Sequence, residues 1–120
     1  MIKAVLGYNI EPGMTEIAYD HWLRNIHVPD LKKIPGLRRI VFNTVKKKIR
    51  DGLNFYRIAE LHFDTLAHYE AAVVWRLKHP VSAGRAPEGK TDFQFYLLCE
   101  SEQIDISDAP DAKKNHEDLI

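Results

Sequence analysis

Residues 2–29, IKAVLGYNIEPGMTEIAYDHWLRNIHVP, contain the change of period that decides the fold. From Ile2 to Ile10 the chain alternates, with Ile2, Ala4, Leu6, Tyr8 and Ile10 on one side and Lys3, Val5, Gly7 and Asn9 on the other. That is the two-residue period of a strand. Glu11-Pro12-Gly13 ends it as a turn. Thr15 then stands where an N-cap belongs, and Ala18, Tyr19, Trp22, Leu23 and Ile26 share one face at helical spacing. Pro29 has no N–H to offer the carbonyl of Asn25, and its ring crowds that turn. The spacing therefore predicts a kink or stop near His27 to Pro29.

Beyond this stretch, Pro35-Gly36 marks a turn and Leu37 to Val45 reads as a second strand. Lys46 to Gly52 is a charged connection whose Asp51-Gly52 is a hairpin signal. Phe55 to Phe63 is expected as the third strand. Asp64 is expected to cap a second helix that buries Leu66, Tyr69, Val73 and Leu77. His79 to Lys90 reads as a long loop, and Asp92 to Glu100 alternates again. The order β-α-β-β-α-β is the split pattern of ferredoxin-like α+β domains, with a four-stranded antiparallel sheet. Residues 1–101 form this domain in the reading, and 102–120 form a polar C-terminal tail, extended or disordered. Two helices cover only one face of such a sheet. Yet Leu97 beside Leu98, and Val41 beside Phe42, put apolar groups on both faces. A second copy closing a shared barrel, a homodimer, is the expected solution.

Composition narrows the function classes. Seventeen basic residues balance seventeen acidic ones, which gives no overall basic face for nucleic acid. Cys99 is the single cysteine, so neither a disulfide framework nor a thiolate zinc cluster can form. No apolar run approaches the roughly 20 residues that span a bilayer, and the opening residues alternate rather than forming a leader's apolar core. A cytoplasmic protein with no membrane partner is expected.

Taken together, the opening strand with Pro12 and Met14-Thr15, the helix Tyr19 to Pro29 with its His27-Val28-Pro29 end, the segment Ile34-Pro35-Gly36-Leu37-Arg38-Arg39 and the strand Ile58 to Phe63 resemble the EthD-like branch of the dimeric α+β barrel superfamily. The resemblance runs from Met1 to about Val74 and then thins. Two departures stand out. The family's helix aromatic is usually one residue nearer the histidine than Trp22 stands here, and His62 occupies a strand position where tryptophan is common. The resemblance implies a cleft between sheet and helices, worked without metal or organic cofactor. It points to muconolactone-type isomerases, polyketide cyclases, cofactor-free monooxygenases and haem-degrading enzymes, and fold analogy does not choose among them.

His27 is the leading candidate. By spacing alone it is either a cation satisfying the last carbonyls of a helix or an acid/base group at the helix flank. Relatives use the matching histidine as an acid/base or substrate-orienting group. Tyr8 is a core residue or a carbonyl-polarising hydroxyl. His62 and Glu60 share a strand face, either as a structural pair or as an acid/base pair. Trp22, His79 and Arg85 complete the expected substrate-binding set, with His79 at the mouth of the loop that does not match the family. Lys46, Lys47, Lys48 and Arg50 form the one dense basic run, a solvated hairpin tip or a lure for a carboxylated substrate. His21 is expected at the surface and His116 in the tail. No His-x-x-x-His or His-x-His pair is present, so metal is not expected. The leading reading is a cofactor-independent isomerase or lyase acting on a small unsaturated acid or lactone from aromatic-ring cleavage. The alternatives are a cofactor-free monooxygenase, a polyketide-cyclase-like enzyme, or a non-catalytic, stress-associated binding barrel.

Overall fold

A computed structural model of the protein describes residues 1–107. The part of the expected tail from residue 108 onward, His116 included, lies outside the described residues. The strands are β1 (Ile2–Ile10), β2 (Leu37–Thr44), β3 (Arg57–Phe63) and β4 (Thr91–Glu100), in the spatial order β2-β3-β1-β4. All three pairings are antiparallel. The helices are α1 (Glu16–Trp22), α2 (Val28–Leu31) and α3 (Leu66–Lys78). The α+β class and the ferredoxin-like order follow the alternation described above.

Each element starts where the sequence supplies a cap or a turn. Thr15 accepts a hydrogen bond from the Ala18 amide and opens α1. At α3 the cap is Thr65, not Asp64: its hydroxyl accepts from the His68 amide at 3.2 Å. The Asp51-Gly52 signal does not make a two-residue hairpin, because residues 45–56 form a longer irregular connection. Phe55 and Tyr56 fall outside β3. The Tyr56 amide turns instead to the Tyr8 carbonyl and the Asn9 side chain.

One face of the sheet carries the helices. Ala4, Leu6, Leu61 and Phe63 meet Leu31, Ile34 and Ala72 in one core cluster, and Tyr8 and Ala59 meet Tyr19, Trp22 and Leu23 in another. Each large side chain buried here is worth about 1.5–3 kcal/mol. α3 is turned from its expected orientation. Ala72 is its buried residue, with Tyr69 and Trp75 packed against the first cluster, while Val73 and Leu77 stay exposed. That rotation frees Val73 and Leu77 to wall a cleft.

The opposite face carries Lys3, Val5, Gly7, Glu60, His62, Phe95 and Leu97, as their register in the ladder requires. No helix covers it among the described residues. Leu97 is 54% exposed. Gly7 is needed because the Phe95 ring lies over its backbone, and a Cβ there would fall 2.0 Å from a ring carbon. No described helix is long and apolar enough to cross a membrane.

Candidate active site

The helix does not stop at Pro29. Between α1 and α2, Leu23–His27 form a wide π turn, and the Val28 amide bonds the Leu23 carbonyl five residues back. Widening lets the chain pass Pro29 in the first turn of α2, where a missing N–H costs no bond. It also changes what His27 touches. On an α-helix, residues five apart diverge by about 140°. In the π turn they come into register, and the His27 ring stacks on Trp22 at 4.8 Å between centroids and 16° between planes. The turn thus accommodates the five-residue separation of Trp22 and His27.

The His27 imidazole has no hydrogen-bond partner among the described residues, yet neither ring nitrogen is sealed away as the Tyr8 hydroxyl is. It therefore does not cap the helix. Burial, reinforced by the nearby Arg76 cation and opposed by Asp30, pulls its pKa down to about 4. At neutral pH it is an uncharged base with a free lone pair.

His27 opens into a cleft of about 420 Å³ between α2, α3 and the loop after α3. Leu31 and Ile34 wall it from one side, Val73 and Leu77 from the other, and Val81 and Pro87 close the rim. His79 also lines it. Its Nδ1 lies 2.8 Å from the Trp75 carbonyl, which can only accept, so Nδ1 bears the proton and Nε2 stays free. Its ring stacks on Trp75 at 4.3 Å. The loop is fastened over α2 by Arg85, which grips both carboxylate oxygens of Asp30 at 2.9 and 2.7 Å. The Trp22 indole N–H donates to the Arg85 carbonyl at 3.1 Å. Lys90 lies over the Trp22 ring, 5.4 Å from its centroid.

The other expected residues are elsewhere. Glu60 and His62 sit on the uncovered face, on the far side of the sheet from His27. His62 Nε2 donates to Glu60 Oε1 at 3.0 Å, Lys3 reaches the same oxygen at 3.2 Å, and Asn43 donates to Oε2 at 2.8 Å. Asn43, His62 and Lys3 together hold the Glu60 carboxyl down at about 2. The His62 Nδ1 is buried and has no partner among the described residues. Tyr8 shares the helix face with His27 but lies inside the second core cluster, against Tyr19 and Phe93 at 6.0 and 6.3 Å. Its phenol is held well above the ordinary range by burial and by Tyr19.

The structure thus brings together His27, Trp22 and His79. It commits Arg85 to a loop clasp and separates Tyr8, Glu60 and His62 from the cleft. It adds Asp30, Trp75 and Arg76, which sequence reasoning missed. The signal for Arg76 was present: it lies one turn from Val73 and three residues before His79. Assigning Val73 and Leu77 to a buried stripe concealed it. Among the described residues, no three His, Cys, Asp or Glu side chains gather as a metal site would need.

No known family's sequence profile matches the chain, and no curated protein matches it in sequence. Solved structures do match in shape. HapK from Hahella chejuensis is 9% identical with a TM-score of 0.60, over 91% of this chain and all of that one. An EthD family protein from Bacillus halodurans C-125 is 20% identical with a TM-score of 0.54, over 85% of this chain and 100% of its own. At3g17210 from Arabidopsis thaliana is 15% identical with a TM-score of 0.58, over 89% and 99%. At these identities the likeness is one of fold: a ferredoxin-like α+β domain with a four-stranded antiparallel sheet, an EthD family protein among the structures that share it.

Proposed function

We propose that this chain is a cofactor-independent isomerase or lyase that moves a proton on a small unsaturated carboxylated or lactone substrate, with His27 as the base. The observation that carries the reading is the state of His27: uncharged, stacked on Trp22, with free ring nitrogens opening into a cleft. A base held at about 4 is weak, so it can remove only a proton that the substrate itself acidifies. A carbon between a carbonyl and a double bond meets that demand. The C–H bond breaks, its electron pair enters the conjugated system, and the proton passes to the imidazole. Returned to a different carbon, it completes an isomerisation. If the electron pair instead expels a β-substituent, the result is an elimination.

Tyr8 and His62 are poorly placed to polarise the carbonyl, one enclosed in core and the other across the sheet. Exchange of an activated substrate proton with deuterium, followed by NMR, tests the reading directly. His27→Ala is expected to slow exchange by roughly 10²-fold or more with the fold intact. Exchange at the wild-type rate in that variant removes His27 from the chemistry.

A second copy of the chain belongs to the same reading. Leu97 and Phe95 lie on a face that no described helix covers, and a second copy of the same apolar face is the economical cover for it. Light scattering at micromolar concentration is expected to give twice the mass of the chain, and Leu97→Glu is expected to give the monomer.

A further inference from the structure

We propose that Arg76 is the receptor for the substrate's anionic group, so that the cleft selects a flat, largely apolar, unsaturated monocarboxylate. The orientation of such a ligand toward His27 rests on the acid/base reading above, while the binding role of Arg76 stands without it.

The charges around the cleft leave one group unspent. Asp30 is the carboxylate of its wall, and Arg85 occupies both of its oxygens. Among the described residues no carboxylate lies within ion-pair distance of Arg76. Its guanidinium is near enough to His27 to oppose protonation there, and it also reaches toward the Tyr96 hydroxyl on β4. Val73 and Leu77 flank it on α3, with Leu31 and Ile34 opposite. An apolar slot with one unpaired guanidinium at its edge suits a ligand with an apolar body and one carboxylate, because the planar fork matches a carboxylate in two hydrogen bonds. The volume of about 420 Å³ is that of a small-ligand pocket. As His27 takes a proton, negative charge spreads through the conjugated acid toward Arg76. A cation fixed there before reaction stabilises the charge as it develops.

The other basic groups are worse placed. Arg85 is clasped by Asp30, and the run from Lys46 to Arg50 lies in the exposed connection before β3. A second groove along β2 carries Arg24, Lys32, Arg38 and Arg39 over Val28 and Phe42. There Arg24 faces Asp20 and Arg38 faces Asp64, and no imidazole opens into it. It serves as the control.

The test uses trans-cinnamate and its methyl ester with the full chain, read by tryptophan fluorescence. Trp22 and Trp75 are the only two tryptophans, one under His27 and one in the cleft wall. Cinnamate is expected to bind saturably, and the ester roughly 10-fold more weakly. Arg76→Gln is expected to weaken cinnamate roughly 10-fold and to leave the ester unchanged, with Arg76→Lys intermediate. His27→Ala and the pair Lys32→Gln with Arg39→Gln are expected to keep the preference. No saturable binding, equal affinity for acid and ester, a preference that survives Arg76→Gln, or one lost with Lys32 and Arg39 each overturns the assignment. Exchange is read separately with trans-styrylacetate, since cinnamate has no C–H between carboxylate and double bond. Arg76-dependent binding with no deuterium exchange of styrylacetate refutes the acid/base reading and leaves Arg76 in place. Exchange without Arg76 dependence does the reverse.

Discussion

The two faces of the sheet each hold a histidine drawn back from solvent, half-buried His27 and buried His62, and the two are opposites. His27, on the helix face, has aromatic surface beneath it, open space at its nitrogens and no carboxylate bonded to it. His62, on the uncovered face, is 5% exposed and fastened to Glu60, which is itself held by Lys3 and Asn43. Burial without a partner leaves an imidazole uncharged and available. Burial beside a carboxylate fixes one nitrogen as a donor and spends its chemistry on structure. Neither state follows from a histidine's place in the sequence: His27 closes the π turn and His62 is the next-to-last residue of β3, and what each ring meets is set by other segments.

The largest expected effects come from removing each ring in turn. His27→Ala is expected to lower turnover by roughly 10²-fold while leaving the unfolding midpoint near that of the wild type. His62→Ala is expected to do the opposite. It takes one donor from the Glu60 carboxylate, which Lys3 and Asn43 still hold, a cost of about 1–3 kcal/mol by chemical unfolding, with turnover within a few-fold of wild type. If the His62 variant loses activity at unchanged stability, the assignment of chemistry to the helix face is wrong.

A smaller effect separates the two faces by pH. The unfolded chain protonates His27 near 6.5, while the folded protein refuses that proton down to about 4. Stability therefore falls as the pH drops from 6.5 to 4, by at most about 3 kcal/mol. Glu60 acts in a lower window: its folded value of about 2 lies below the ordinary 4.5, so its contribution is complete above 4.5 and is lost as the pH falls toward 2. Urea unfolding at a series of pH values is expected to show both steps. His27→Leu flattens the upper one and Glu60→Gln the lower. A His27→Leu variant with the wild-type slope between 6.5 and 4 would show that the ring is solvated.

Much of the fold was legible because it is written in local periods. The alternation of β1 and β4 and the Thr15 cap follow from a few neighbouring residues, whereas the kink or stop expected at His27 to Pro29 is instead a π turn that carries the helix on to Leu31. What was not legible depends on contacts between distant segments. The rotation of α3 that exposes Val73 and Leu77 is set by packing of Tyr69, Ala72 and Trp75 on the sheet. The commitment of Arg85 to Asp30 joins residues 55 apart. At the site, His27 was visible from its helix end, but its uncharged state was not, because a π turn cannot be read from a 3.6-residue spacing. Tyr8 and His62 fell from the cleft for a plain geometric reason: one is enclosed by core and the other points through the opposite face.

The loop clasp allows the finest test of what keeps His27 apart from a carboxylate. Asp30 lies three residues after His27 and favours its protonated form, but Arg85 holds both Asp30 oxygens and draws that charge toward the loop. With Arg85→Gln, the carboxylate loses its counter-ion and its field on the imidazole strengthens. The His27 midpoint, followed by NMR of the ring protons, is expected to rise from about 4 by less than about one pH unit, with the unfolding midpoint near that of the wild type. A rise accompanied by lost stability would mean a general loosening of the fold. No rise would mean that desolvation alone keeps His27 uncharged, and that the clasp acts on the loop without reaching the base.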